Sequence, residues 1–406
     1  MRGSFPLYFG ALTLAAFGYA AFYFHPSVHA ALSFIQSPAS VAYIGTPVSV
    51  ADLYADYHAP TAGKVRVLIV PGHEPTYGGA EFAGVYEREL VVGIAQDLQI
   101  FLSSQTKYTV LTTRDSTAWN PIFANYFVQN QDAIAAWEAT ARQSAASLGL
   151  DTLPLVDHVA VPTDVALRLY GITKWADENT IDVTLHLHLN DHVGHSYTTP
   201  GSYSGLAIYV PAQQFDNSTT TKAVATSMLK RLSLYTPVSD LPEESGGIID
   251  DPQLIAVGAN NTAGSASMLI EYDYIYQPQF TNPAVRSLAL KDLAYQTYLG
   301  LQDFFTQHTP TTMTDGYAPS TLYPWTTPVT GKGSDPKDIY ALQTALLMDG
   351  DFPPAGKTPY DCPHSGTLGP CTRAALAAFQ QKNGITGERV GGQQTFTLLQ
   401  NIYWER

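Results

Sequence analysis

The sequence is short of charge, and of positive charge above all. Charged residues make up 14% of the chain, with Lys plus Arg at 21 against Asp plus Glu at 35, a formal net charge of −14. A general nucleic-acid binder needs a basic face that displaces counterions from phosphates, and this balance excludes that class. Cysteine is scarcer still, with only Cys362 and Cys371. Two cysteines exclude a disulfide-dense scaffold and any multi-cysteine zinc ribbon or finger. A bound metal would have to rest mainly on His and carboxylate ligands. What the chain has instead is apolar bulk, 45% hydrophobic residues, far from the composition of disorder. At 406 residues it is long enough for two or three domains.

One long uncharged run stands at the N-terminus. Phe5 to Phe24 holds twenty residues without a charge, between Arg2 and His25-Pro26. As a helix it would span about 30 Å, the thickness of a bilayer core. Arg2 puts the N-terminus on the cytoplasmic side by the positive-inside rule. Val28-His29-Ala30 carries the small residues of a signal-peptidase site, so a cleaved signal peptide is the alternative. The run is long for a signal sequence, which favours an uncleaved transmembrane anchor within 1–30. Both readings export the rest of the chain to the cell envelope, as an anchored or a secreted protein.

After a connector over 31–62, strands alternate with helices and imply an α/β domain over 63–306. Val65 to Val70 is a β-branched run and reads as a buried strand, ending at Pro71-Gly72-His73-Glu74. Leu90, Ile94, Leu98, Phe101 and Leu102 share one face of a helix expected over 86–103. Strands are expected at 108–113, 205–210 and 267–272, and an Ala-rich helix over 126–148. Residues 182–189 alternate, with Thr184, His186 and His188 on one face and Val183, Leu185 and Leu187 on the other. Asn282-Pro283 opens a helix running to about 305. From 307 to 335 the composition turns to Thr, Pro and Gly without a period and reads as a linker. Residues 336–406 then form a separate all-α module, with helices near 337–349 and 370–382.

The chemistry-bearing side chains cluster at strand ends. His73 follows the first strand, Glu87 opens the first helix, and His186 and His188 share a strand face. Two His and one carboxylate form a ligand set for a catalytic zinc that keeps a position open for water. Glu271 ends the apolar run Met268-Leu269-Ile270, where a carboxylate is costly unless paired or bound to metal. Taken singly, each has an ordinary structural use. His73 could cap its loop, Glu87 suits a helix N-terminus, the two strand histidines could face solvent, and Glu271 could meet a buried Arg.

The ordered set is more specific. Val67 to Glu74, followed by Gly84-Val85-Tyr86-Glu87-Arg88-Glu89, resembles the opening of the zinc-dependent N-acetylmuramoyl-L-alanine amidases. Val110-Leu111-Thr112-Thr113-Arg114 looks like their second strand, Leu187-His188-Leu189-Asn190 like their His-x-Asn strand end, Gly205 to Tyr209 like the next strand, and Leu269-Ile270-Glu271-Tyr272 like a late Leu-x-Glu strand. The resemblance spans about 65–305 and implies a mixed sheet with helices on both faces. It makes His73, Glu87 and His188 the zinc (Zn2+) ligands and Glu271 the catalytic carboxylate. It also implies that Glu271 acts as general base toward a zinc-activated water, cleaving the amide between N-acetylmuramic acid and L-alanine in peptidoglycan. His186 departs from the family's usual small residue: with Asn190 it is a candidate substrate contact, or it could orient a ligand or replace His188, although the Asn two residues after His188 assigns the metal to His188. The segment 116–175 exceeds what a compact member needs and is expected to wall the groove or cover it. Asp157 and His158 within it read as loop residues.

Leu342-Gln343, Ser365-Gly366-Thr367-Leu368-Gly369, Thr372, Phe379-Gln380 and Gly391-Gly392-Gln393-Gln394-Thr395 follow the order of the small helical peptidoglycan-binding module, which 336–402 resembles. In an exported module a disulfide between Cys362 and Cys371 is expected to close a short loop, worth about 2–3 kcal/mol by loop entropy. The expectation is therefore an anchored or secreted monomeric amidase whose partner is peptidoglycan, with the membrane engaged only through the N-terminal segment. A zinc peptidase cutting the stem peptide is the alternative, although Thr76 stands where its His-x-x-Glu pattern needs Glu. A wall-binding protein without activity is the other.

Overall fold

A computed structural model describes residues 47–61, 65–156, 161–257, 263–331, 333–388 and 390–404. The expected membrane segment, the cleavage site, Asp157 and His158 lie outside these residues. No helix among the described residues is long and apolar enough to cross a membrane.

A six-stranded sheet organises the described residues up to Thr306. Helix α1 (Val50–His58) is capped by Ser49, whose hydroxyl accepts the Asp52 N–H at 3.1 Å. Strand β1 (Val65–Pro71) leads to a small hairpin of β2 (Glu81–Phe82) and β3 (Val85–Tyr86), then helix α2 (Glu87–Ser103) and β4 (Tyr108–Thr112). Helices α3 (Pro121–Gln129), α4 (Gln131–Leu148) and α5 (Thr163–Glu178) precede β5 (Val183–Asn190) and β6 (Ala207–Pro211). Helix α6 (Ser218–Leu232), β7 (Ile248–Asp251), β8 (Ala266–Tyr274) and the long α7 (Arg286–Thr306) complete the unit. The strand order is β4-β1-β5-β8-β6-β7. All neighbours run parallel except β8 and β6, which are antiparallel. The sheet is thus mixed, with helices on both faces.

Period-two burial decides which side chains reach which face. Val183, Leu185, Leu187 and Leu189 of β5 and Met268 and Ile270 of β8 join the main core with α2, α6 and α7. The other face therefore receives Thr184, His186 and His188 from β5, and Leu269 and Glu271 from β8. Leu68 and Val70 of β1 turn the same way and pack against Phe123 and Ile172 of the added helices. The expected polar face of β5 is not solvated: Thr184 and His186 are both buried.

The Ala-rich segment forms two helices, α3 and α4, that meet at Asn130, and the last long helix starts at Arg286. Asn282 accepts the Ala284 N–H at 3.1 Å and closes a turn instead of opening the helix. Helices α1, α5 and α6 carry Tyr, Thr or Asp at many positions, and the sequence reading did not mark them.

The segment 307–335 corrects the linker reading. Met313, Tyr317, Leu322, Tyr323, Trp325 and Val329 are all buried, in one core with Ala289 and Leu299 of α7. That core also takes Tyr340 and Leu346 of α8 (Pro336–Asp349) and Phe379 of α9 (Pro370–Lys382). The Thr and Pro residues set the composition, but the aromatics between them do the packing. Helix α10 (Gln393–Leu399) follows. Cys362 and Cys371 form the expected disulfide.

At the centre of this second core Asp292 of α7 is fully buried and accepts four tyrosine hydroxyls. Tyr317 lies at 2.5 Å, Tyr340 at 2.8 Å, Tyr323 at 3.1 Å and Tyr235 at 3.3 Å. His364 stacks on Tyr340 with ring centroids 3.8 Å apart. Asn282 donates to the Ser365 carbonyl at 3.1 Å, a further tie between the two halves.

Candidate metal centre

The carboxyl ends of β1 and β5 build the site, as parallel sheets do for most ligands. Strand β1 is stopped by Pro71, and the Gly72 N–H still pairs with the Leu187 carbonyl at 2.9 Å. The chain then turns sharply at His73, whose φ of 68° is left-handed and strained for a residue with a β-carbon. Gly72 is demanded by contact. A β-carbon there would lie 2.3 Å from Cε1 of His188. Gly79 is constrained twice, by a φ of +83° and by His73, whose Cδ2 would sit 2.8 Å from an added β-carbon.

Glu87 opens α2 and is only 3% exposed. Its Oε2 accepts the Ala80 N–H at 2.9 Å and its Oε1 the Leu189 N–H at 3.1 Å, which fixes the carboxylate between the hairpin and β5. His188 Nδ1 lies 3.0 Å from Oε1, and His73 Nε2 lies 2.8 Å from Oε2. The two imidazole centroids are 4.9 Å apart. One ligand atom from each of His73, Glu87 and His188 falls within 4.8 Å of the others.

The donor set fits a divalent cation. His73 Nε2 is buried and close to the carboxylate, yet makes no aligned hydrogen bond. A buried imidazole nitrogen without a hydrogen-bond partner is a donor atom open to a cation. Burial would raise the Glu87 carboxyl, but His73 and His188 beside it outweigh this and hold it well below the usual range. Burial pushes the His188 imidazole down, toward the neutral form that can ligate. Backbone amides orient the carboxylate and leave its outer lone pairs free.

Glu271 stands next to this cluster. On the adjacent parallel strands it pairs with His188 in register, and it faces the same side. Its Oε2 is buried and has no hydrogen-bond partner. Burial pushes this carboxyl well above the ordinary carboxylate range, helped by the negative charges of Glu87 and Glu244. His186, one pleat before His188, is 2% exposed and pushed down to about 3 by burial and by His188.

Asn190, at the end of β5, is tied to Glu244. Its amide donates to Glu244 Oε1 at 2.8 Å, and Tyr209 donates to the same oxygen at 2.6 Å. Glu244 escaped the sequence reading, since it stands in a polar turn with no pattern around it. Arg114 was read only as a strand end. It is 3% exposed, and its guanidinium donates to the Pro71 carbonyl at 3.2 Å, to the Arg88 carbonyl at 3.1 Å and to the Gly72 carbonyl, which pins the turn before His73.

His73, His186, His188 and Glu271 all line a cavity of about 540 Å³. Its apolar lining includes Val161, Val165 and Leu169 of the added segment, together with Leu254 and Ile255. Arg142 and Arg168 are its cationic edge. The segment expected to wall the groove does line it.

Gly72→Ala is expected to keep the fold and weaken metal binding by at least about 10-fold, because the new methyl must displace the His188 ring. Equilibrium dialysis against zinc checks this, and unchanged affinity would refute the assigned role of that close approach.

The chain matches the family model described as N-acetylmuramoyl-L-alanine amidase over residues 67–303. The chain belongs to this amidase family. The family's reaction is hydrolysis of the amide between N-acetylmuramic acid and L-alanine, and its substrate is peptidoglycan, which lies outside the cytoplasm. Solved structures similar to the chain include the amidase Ami1 from Mycobacterium smegmatis, at 12% identity and a TM-score of 0.40, covering 61% of this chain and 100% of that one. An amidase from Clostridium difficile 630 is similar at 17% identity and a TM-score of 0.36, covering 60% and 97%. AmiC2 of Nostoc punctiforme is similar at 15% identity and a TM-score of 0.37, covering 60% and 99%. No curated protein matches the chain.

Proposed function

We propose that the chain is a zinc-dependent cell-wall hydrolase that cuts the amide between the lactyl group of N-acetylmuramic acid and L-alanine. The observation that carries this is the convergence of His73, Glu87 and His188 within 4.8 Å, beside the unpartnered carboxyl of Glu271. His73, Glu87 and His188 would hold the metal. When bound, zinc supplies a Lewis acid for the amide carbonyl and lowers the pKa of water toward neutrality. Glu271 takes a proton at its carboxylate and later gives it to the leaving nitrogen. Burial raises this carboxyl, and the charge of a cation held beside it would draw it back toward the ionised form that a base must have. Buried and neutral, His186 offers a hydrogen bond to the substrate from the cavity wall. Asn190 serves the reaction indirectly, by holding Glu244 at the end of β5. The apolar side of the cavity excludes water from the peptide side of the scissile bond.

Residues 336–402 would bind peptidoglycan and hold the enzyme, as a monomer, on its insoluble substrate. The N-terminal run would export the chain and anchor it in the membrane.

Metal analysis and peptidoglycan digestion on the same preparation test the reading. The expected result is about one zinc per chain and release of intact stem peptides with a new L-alanine amino end. Zinc with cleavage inside the stem would favour the peptidase. No metal and no release, with binding to sacculi retained, would leave a wall-binding protein.

A further inference from the structure

The added helices meet the metal loop at one point. Glu74 follows His73 directly and is 5% exposed. Its two oxygens have different partners: Arg168 of α5 donates to Oε1 at 2.7 Å, and Trp119 donates to Oε2 at 3.1 Å. The far end of the same guanidinium donates to the Tyr77 hydroxyl at 2.9 Å and to Asp164 at 2.6 Å. Tyr77 itself donates to Asp164 at 3.0 Å. One arginine therefore holds the loop at residues 74 and 77, on the groove side.

His73 sits beside this clasp in a left-handed backbone conformation. Such a conformation persists only where its surroundings over-determine it. Arg114 fixes the carbonyls before His73, at Pro71 and Gly72. Helix α2 holds the chain again from Gly78, whose carbonyl accepts from Arg88 at 3.4 Å, and at Ala80, whose N–H donates to Glu87 at 2.9 Å, which leaves the residues directly after His73 to another anchor. That task falls to Glu74, and Glu74 is held by Trp119 and Arg168, both in the stretch that exceeds a compact amidase. A carboxylate at this depth without its guanidinium would be a buried unpaired charge, and it would leave for water or for the metal.

We propose that Arg168, acting through Glu74, is a positioning residue for His73, so that the added helices complete the metal site as well as walling the cavity. The proposal rests on the reading of His73 as a metal ligand.

The test is zinc affinity without substrate, by competition with a chromophoric chelator, on the full chain. Arg168→Met is expected to weaken zinc binding about 10- to 100-fold, the usual effect of removing an outer partner of a metal ligand. Arg168→Lys is expected to recover part of this, since an ammonium reaches Glu74 but cannot also span to Tyr77. Tyr126→Phe removes the contact of α3 with Glu178 of α5, far from the clasp, and is expected to bind zinc as wild type does. Should Arg168→Met not fold, Glu74→Gln answers the same question, with weakening expected. Wild-type affinity in Arg168→Met or Glu74→Gln overturns the proposal. Equal weakening in Tyr126→Phe also overturns it, because loosening the helices anywhere would then suffice. A wild-type chain that binds no zinc overturns the metal reading itself, and so separates that failure from this one.

Discussion

Glu271→Gln is expected to lower amide hydrolysis by about 10²- to 10⁴-fold, the range for loss of a general base, while zinc content stays at the wild-type level. The amide is close in shape to the carboxyl, so the fold and the ligands are undisturbed, but it cannot accept a proton. Glu271 has the environment for this result: its Oε2 is buried without a partner, and it stands in register beside His188. Release of stem peptides from sacculi, followed by chromatography, gives the rate, and metal analysis gives the content. Retained activity would remove Glu271 from the mechanism. Loss of zinc together with activity would make it a ligand instead.

The largest stability effect is expected far from the site. Asp292→Leu leaves up to four buried tyrosine hydroxyls without their acceptor, and each orphan costs about 1 kcal/mol or more. A loss of about 3 kcal/mol or more is expected, read by urea unfolding. In the wild-type chain the two halves should unfold in one transition, because they share a core. In the variant the second half should come apart first. Two separate transitions in the wild-type chain would refute the shared core.

The same residue carries a pH signature. Burial pushes the Asp292 carboxyl up to about 6, even though the tyrosines bond to it. The native state therefore holds a proton that the unfolded chain, titrating near 4, has already lost. The contribution of this group to stability falls as pH rises from about 4 to about 6, then levels. Asp292→Asn should flatten that slope, and an unchanged slope would assign the titration elsewhere.

The sequence was most readable where one local rule decided the outcome. The β-branched run of β1 ends at Pro71, and that alone put His73 at a strand end. The alternation of β5 set His186 and His188 on the face opposite the leucines. It did not reveal that this face is covered, because nothing local says that α5, the helix just before the strand, folds back over it. Glu74 and Arg168 stand 94 residues apart, and no local pattern joins them. The 307–335 stretch failed for the same reason. Its aromatics have no period because most of their partners lie elsewhere in the chain: Tyr295 of α7, Tyr340 of α8, Phe396 of α10 and Trp404.

That packed stretch determines how the enzyme would travel. A hydrolase on a slack tether sweeps a volume around its point of attachment and can make many cuts per landing. Here the catalytic cavity and the proposed wall-binding region are bolted together by a common core, so each landing brings the cutting edge to one fixed offset. Reaching the next bond then requires the whole molecule to let go and settle again. On an insoluble wall the pace of digestion would follow the rate at which the grip releases.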